Sequence, residues 1–179
     1  LGWVGRVTAR TLPSLPELKV YPLAVPTEDS AGLHARTIAE ASLRFTPDGD
    51  NRLVLALGSG DLDSGRSVAR ARLDVANILD EALARKVSTF VLGPPPEHDG
   101  DRNRRIAELN ASFSDVAKRR GITYVDTFTP LLGHPVWRLE LASSRDHLPA
   151  QEGYGLLAWL VLHRGWFNWL GVQDVLGDS

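Results

Sequence analysis

The residues best suited to acid–base chemistry lie near the C-terminal end, in the stretch SSRDHLPAQEGYGLLAWLV at residues 143–161. Here His147 and the neighbouring carboxylate of Asp146 stand just ahead of an apolar helical pattern. Histidine readily takes and returns a proton near neutral pH, and a carboxylate can orient its ring. We therefore predict His147 as a catalytic base with Asp146 as its acidic partner. Because adjacent side chains orient one another poorly, a polar loop without catalytic function is the alternative interpretation.

Serines are the candidate nucleophiles, because the chain contains no cysteine. Ser59 and Ser64 lie in the loop GSGDLDSG, which follows a run with strand character. Either hydroxyl could attack a substrate if a base lay beside it. The simpler interpretation is a tight turn in which Ser64 or Asp63 caps the next helix. Ser30, in EDSAGL, is interpreted as part of a helix start.

The sequence predicts neither a metal site nor a cofactor. His98, Asp99 and Asp101 form a small polar cluster, but their spacing matches no specific ligand motif, so a solvated loop is favoured. There is no phosphate-binding Walker loop and no Gly-x-Gly-x-x-Gly motif that opens a helix. Nucleotide-dependent chemistry therefore has no support in the sequence.

The composition is that of an ordinary globular protein. The 179 residues are 43% hydrophobic and 23% charged, and this length is enough for one domain with a substantial core. A net charge of −2 gives no reason to expect nucleic acid or an anionic membrane as a partner. No apolar run approaches the roughly 20 residues that cross a bilayer. We expect a single soluble domain over residues 1–179, with a cytoplasmic location favoured.

Strand-like and helix-like segments alternate along the chain. Short apolar runs such as LVLAL indicate strands buried on both faces, which is typical of parallel sheets. The four predicted strands are Leu18–Val25, Arg52–Leu57, Val87–Leu92 and Ile122–Thr127. Apolar residues at spacings of three and four predict helices over Glu28–Phe45, Arg66–Lys86, Asp101–Arg120 and Gln151–His163. This alternation predicts a three-layer α/β fold whose functional loops follow the carboxyl ends of the strands.

Four stretches of the chain, taken in order, resemble the SGNH (GDSL-type) hydrolases. GWVGRV, from Gly2, is similar to the helix that follows the family's nucleophile loop, and PLAVPTEDSAGL is similar to its second block. VLALGSGDL is similar to the third block, and HLPAQEGYGLLAW is similar to the fifth. The resemblance runs nearly from end to end, and the combination of stretches is specific.

The resemblance implies a flavodoxin-like α/β/α sandwich that hydrolyses small-molecule acyl esters or thioesters without a cofactor. In this family a serine in a Gly-Asp-Ser loop is the nucleophile, and an Asp-x-x-His element supplies the acid and the base. The oxyanion is held by the N–H of that serine, a glycine N–H in the second block and an asparagine side chain in the third. In this chain the resemblance places Thr27, Gly60 and Asp61 in the oxyanion and substrate loops.

Two of these loop positions depart from the family's pattern. Thr27 stands where the family usually has glycine, so freedom for positive φ is lost. The family's Gly-x-Asn-Asp reads Gly-Ser-Gly-Asp here, and Gly60 replaces the asparagine. Loss of such a donor costs about a hundred- to thousandfold in rate.

The fifth and first blocks depart as well. Without a gap, the family's aspartate and histidine fall on Arg145 and Leu148; a one-residue shift recovers His147 but puts Ser144 at the aspartate position. The chain starts at the helix after the nucleophile loop and contains no methionine, so we expect the first strand and its Gly-Asp-Ser loop to be missing.

The sequence thus predicts a serine ester hydrolase that is incomplete or inactive in this chain. The alternative is a non-catalytic scaffold or binding module on the same fold. A third possibility is a rearranged enzyme that uses GSGDLDSG as its nucleophile loop together with His147.

Overall fold

The computed structural model of the protein describes residues 1–177. These residues form two compact units. The first, called here the sheet unit, comprises Leu23–Thr129; the second, called the helical unit, comprises Leu1–Pro22 and the described residues from Pro130 onward. Within residues 1–177, no helix is both long and apolar enough to cross a membrane.

Three parallel strands form the sheet, in the order β1-β2-β3. Their bounds are β1 Arg52–Ala56, β2 Ser88–Leu92 and β3 Thr123–Val125. The central strand β2 is buried from Thr89 to Leu92, whereas β1 lies at an edge and is only partly buried. Apolar runs without alternation thus correspond to strands of a parallel sheet, as expected. The predicted α/β class with a parallel sheet is confirmed.

The helices of the sheet unit carry the apolar stripes that the sequence predicts. Their bounds are α2 Ser30–Ser42, α3 Gly60–Asp63, α4 Val68–Ala84 and α5 Gly100–Arg119, and α6, Phe128–Leu132, begins in this unit and ends in the helical unit. Helix α4 packs against both α2 and α5. The core of the unit includes Leu55, Leu57, Val75, Ile78, Leu79, Val91, Ile106, Leu109 and Phe113. Burial of these side chains stabilises the unit by about 1.5–3 kcal/mol for each large one.

The long helices begin at side-chain caps. The Asp29 carboxylate accepts a hydrogen bond from the backbone N–H of Gly32 and starts α2. Asp99 caps α5 in the same way. The prediction that Ser64 or Asp63 caps α4 is wrong: Ser67 is the cap, because four residues separate the end of α3 from the start of α4.

The helical unit contains four helices among the residues that the structure describes. They are α1 Trp3–Thr11, α7 Pro135–Ser143, α8 Gln151–Val161 and α9 Phe167–Leu170, with a kinked turn at Leu162–Trp166. Helix α8 packs against α1 and α7. The buried Trp166 donates a hydrogen bond from Nε1 to the Thr11 hydroxyl at 2.9 Å. The start of the aromatic tail therefore packs against the end of α1 within the helical unit.

The predicted strand over Leu18–Val25 does not form. The segment has no regular structure, and Val20, Tyr21 and Val25 are exposed. Strand propensity depends on packing against neighbouring strands, and Pro22 removes one backbone donor from the segment. Without a partner strand among the described residues, its branched apolar side chains do not suffice to make it a strand.

A chain of polar groups fixes the carboxyl end of the sheet. The Tyr124 hydroxyl donates to Oδ1 of Asn110 at 2.6 Å, and Nδ2 of Asn110 donates to Asp126 at 3.1 Å. Burial, and to a lesser extent the charge of Asp126, raises the pKa of Tyr124, so the phenol stays neutral and acts as a donor. Asp126 in turn accepts the first two amides of α6. Gly93 directly follows β2, and because it has no side chain, the Tyr124 hydroxyl and the Asn110 side chain can lie against it.

We predict that Gly93→Ala lowers the free energy of unfolding by about 1–3 kcal/mol, because a Cβ there would lie 2.6 Å from Asn110 Oδ1 and clash with the Tyr124 hydroxyl. Gly58→Ala is the matched control: Gly58 follows β1 as Gly93 follows β2, and nothing lies within 4 Å of its Cβ position. Urea denaturation of both variants measures the difference. Equal stabilities would contradict the prediction.

Candidate active site

In the sheet unit, the structure brings two of the predicted oxyanion positions, Thr27 and Gly60, into direct contact. A Cβ built on Gly60 would lie 2.6 Å from the carbonyl oxygen of Thr27 and 2.6 Å from the carbonyl carbon of Glu28. Real Cβ atoms do not approach backbone so closely, and backbone cannot move aside as a flexible side chain can. No side chain fits at position 60 without a shift of the Thr27–Glu28 backbone.

Thr27 has a left-handed backbone conformation with φ of +60°. This region costs a residue with a Cβ about 1–2 kcal/mol, whereas glycine adopts it freely. Its side chain is exposed, and the hydroxyl donates to the carbonyl of Pro26 at 2.7 Å. The backbone geometry at this position is therefore one that glycine adopts without strain, although the residue is threonine.

Asp61 lies inside the sheet unit, with 2% of its surface exposed. Its Oδ1 atom is 3.1 Å from the backbone nitrogen of Ser30 and 2.6 Å from the Ser30 hydroxyl. Burial raises the pKa of this carboxyl, while the two contacts with Ser30 partly oppose the rise. Asp61 therefore connects the start of α2 to α3.

The serines of the GSGDLDSG loop have partners other than a histidine. The Ser59 hydroxyl donates to the Glu97 carboxylate, and Glu97 forms an ion pair with Arg102. The group beside Ser59 is therefore a carboxylate that already pairs with a guanidinium, and not the imidazole that most often activates a serine. The Ser64 hydroxyl lies 3.4 Å from the carbonyl oxygen of Asp61, and it also interacts with the carboxylate of Asp29 and helps to lower the pKa of that group.

His147 and Asp146 occupy a turn of the helical unit between α7 and α8. The backbone N–H of His147 donates to the carbonyl of Ser144 at 3.2 Å, and His147 has φ of +51°. Its Nδ1 atom lies 2.9 Å from the carbonyl oxygen of Leu141. Because a carbonyl only accepts, this contact requires a proton on Nδ1. The Leu141 carbonyl therefore helps to orient the His147 ring, and the side chain of Asp146 is exposed.

Glu140, on α7, binds backbone amides at the start of α8, where the same turn ends. Its carboxylate accepts hydrogen bonds from the backbone amides of Ala150 and Gly153, each at 2.7 Å, and of Glu152 at 3.0 Å. It therefore caps α8 from another helix, where no local side chain does. The sequence analysis missed this residue, because the amides it caps lie ten or more positions away.

A Gly-Asp-Ser sequence was also missed. It occurs at residues 177–179, whereas the sequence analysis looked for it ahead of α1, so the expectation that the chain lacks this tripeptide is wrong. Gly177 has φ of +66°, and its carbonyl accepts a hydrogen bond from Arg10, which also forms an ion pair with Asp174. Asp178 and Ser179 lie outside the described residues.

The polar cluster of His98, Asp99 and Asp101 and a cavity in the sheet unit are separate from the predicted catalytic and oxyanion residues. Among residues 1–177, no three His, Asp or Glu side chains are arranged to hold a metal ion. A cavity of about 280 Å³ in the sheet unit opens near the amino ends of β1 and β2 and includes none of the predicted site residues. Its lining residues include Ser42, Phe45, Asn51, Arg85, Lys86 and Ser88.

We predict that Thr27→Gly raises the free energy of unfolding by about 0.5–1 kcal/mol, because relief of the positive-φ strain exceeds the extra entropy that glycine loses on folding. Thr27→Ala keeps a Cβ and removes the exposed hydroxyl and the γ-methyl group, so the positive-φ strain remains and it should give no gain. Thermal unfolding of the three proteins separates the two effects. A gain for alanine as large as that for glycine would contradict the strain argument.

We predict that Glu140→Ala lowers the free energy of unfolding by about 2 kcal/mol, since three amides at the start of α8 lose a charged acceptor. Glu152→Ala is the control, because Glu152 is an exposed acidic residue in the first turn of the same helix and should change stability by less than about 0.5 kcal/mol. Hydrogen exchange at the Gly153 amide should accelerate only in the Glu140 variant.

Comparison with known proteins connects these units to a family of hydrolases. The chain superimposes on a lipase/acylhydrolase from Enterococcus faecalis with a TM-score of 0.75 and 21% identity, covering 96% of this chain and 87% of that one. It matches the psychrotrophic esterase EstA from Pseudoalteromonas sp. (0.71, 16% identity, 95% and 88% covered). It also matches the acetylxylan esterase Axe2 from Geobacillus stearothermophilus (0.71, 14% identity, 99% and 84% covered). At these identities the likeness establishes the fold.

Sequence comparison supplies the family. No curated protein matches the sequence. The sequence profile of the GDSL-like lipase/acylhydrolase family, however, matches residues 1–156, which is most of the chain. The chain therefore belongs to the GDSL-like lipase/acylhydrolase family.

Proposed function

We propose that this chain has the fold of an SGNH-type serine ester hydrolase but that its described residues do not hydrolyse acyl esters at an enzymatic rate. One observation carries the proposal: backbone atoms of Thr27 and Glu28 occupy the space that a side chain at position 60 would need. A side-chain donor to a developing oxyanion cannot stand there while this contact persists. An acyl ester of a small molecule remains the substrate class that the family membership favours.

The remaining parts support the same proposal. The exposed Thr27 could still offer its backbone N–H to an oxyanion, but Gly60 has no side chain to act as a second donor. Loss of one such donor costs about a hundred- to thousandfold in rate. The frame would then serve as a binding module, with ester binding retained and turnover lost.

A second function is favoured by the tripeptide Gly177-Asp178-Ser179. It has the family's nucleophile sequence and follows two apolar residues, Val175 and Leu176, as the family's loop follows a strand. Two contacts hold the segment just before it. Arg10, on α1, binds the carboxylate of Asp174, and the Ser14 hydroxyl, after the end of α1, accepts a hydrogen bond from the Val175 amide at 3.0 Å. Under this alternative, Ser179 attacks the ester carbonyl while His147 takes the proton of its hydroxyl. His147 returns that proton to the alcohol as the ester C–O bond breaks, and the resulting acyl-enzyme is then hydrolysed by water.

Labelling with a fluorophosphonate, which reacts with activated serines, distinguishes the two functions. The first function predicts no adduct in a folded sample and no release of p-nitrophenol from short-chain p-nitrophenyl esters above the rate of a His147→Ala variant. The second predicts an adduct that peptide mapping locates at Ser179 and that Ser179→Ala abolishes. An adduct on Ser59 or Ser64 would contradict both and support the rearranged nucleophile loop.

A further inference from the structure

Two buried carboxylates of the sheet unit meet around a single hydroxyl. The Ser30 Oγ atom lies 2.6 Å from Oδ1 of Asp61 and 3.1 Å from Oδ2 of Asp74. Only 2% of Ser30, 2% of Asp61 and 6% of Asp74 is exposed. The three residues belong to three different elements, α2, α3 and α4, so their contacts join the helices that surround the second- and third-block loops.

The charged groups around the two carboxylates are unequally distributed. Asp74 forms an ion pair with Arg66, and its other oxygen lies 3.5 Å from Nδ1 of His34. Asp61 makes no ion pair within the described part of the chain, and the nearby carboxylate of Asp29 adds negative charge, while Arg66 acts on it only at longer range. Negative charge is therefore well compensated on Asp74 and poorly compensated on Asp61.

Counting hydrogens shows which protonation state satisfies the contacts. The Ser30 hydroxyl has one hydrogen and cannot donate to both carboxylates at once. If both carboxyls were ionised, one of the two oxygen–oxygen contacts would hold no proton and would be repulsive. If Asp61 Oδ1 carries a proton, it donates to Ser30 Oγ, and the Ser30 hydroxyl donates to Asp74. Oδ1 still has a lone pair for the Ser30 amide, so every contact then holds one hydrogen.

We propose that Ser30, Asp61 and Asp74 form a proton clamp, in which a protonated Asp61 holds the start of α2 against α3 and loss of that proton loosens the contact. Asp61 is thereby a positioning residue: it acts on Thr27 and Glu28, whose backbone packs on Gly60, through Ser30 at the start of α2. The clamp does not depend on the proposed function, because it needs no substrate and no nucleophile.

The sign of the pH effect follows from the burial of Asp61. Burial raises its pKa in the folded protein above the ordinary aspartate value of about 3.9. The folded state therefore binds this proton more tightly than the unfolded state does. The stabilisation is complete below about pH 3.9 and is lost as pH rises through the folded-state pKa, by up to tenfold in the folding equilibrium constant for each pH unit in that window.

The first test uses the wild-type protein alone. Carbon-13 NMR of the aspartate side-chain carboxyls, assigned through bonds, should give Asp61 a titration midpoint above the ordinary aspartate value of about 3.9. Over the same pH range, the hydrogen-exchange protection factor of the Ser30 amide should fall, while that of the Gly32 amide, bound to Asp29, should stay constant. A midpoint for Asp61 at or below that ordinary value overturns the proposal.

The second test compares variants. Asp61→Asn removes the titrating group, so its stability relative to wild type should rise from pH 4 to pH 8, whereas Asp63→Asn, on the same short helix, should show no such trend. Asp74→Asn should lose stability at every pH, because Arg66 then faces no carboxylate. A constant difference between Asp61→Asn and wild type across this range would contradict the clamp. Should Asp61→Asn fail to fold, the wild-type titration decides.

Discussion

The structure of the sheet unit depends on one close approach, that of the Thr27–Glu28 backbone to Gly60. This contact requires a residue without a side chain at position 60, and it accompanies the left-handed conformation of Thr27. It is held in place three residues later, where the amide and the hydroxyl of Ser30 both meet the buried Asp61. Backbone packing and a buried polar contact thus act on the same few residues, and each makes the other more difficult to change.

The predicted site residues have different surroundings in the two units, each taken by itself. In the helical unit, His147 contacts a backbone carbonyl through Nδ1, and Glu140 fixes the start of the helix that follows. In the sheet unit, backbone atoms fill the space beside Gly60. Family membership accounts for the fold, whereas the chemistry depends on particular atoms at a particular place.

The sequence predicted elements whose stability is local or periodic and failed where tertiary contacts decide. The apolar stripes of α4 and α5 and the runs in β1, β2 and β3 lie within the predicted segments, because their spacing reflects burial directly. Leu18–Val25 has comparable composition but no neighbouring strand, and strand formation needs one. In the site, the glycine at position 60 was visible, but the carbonyl that excludes a side chain was not. Glu140 gave no signal, and Gly177 was overlooked because the motif was sought at the other end of the chain.

Restoring the donor residue alone would not restore the site, for steric reasons. Asparagine at position 60 would place its Cβ within van der Waals overlap of two carbonyl groups, so the Thr27–Glu28 backbone would have to move away. That movement would pull on Ser30 and break its contacts with Asp61, leaving a buried carboxyl without partners at a cost of about 1–3 kcal/mol. The absence of a side-chain donor at position 60 therefore depends on how the Thr27–Glu28 backbone packs on Gly60, and not on the identity of one residue. A functional oxyanion site at this place would need a different backbone path for residues 25–30.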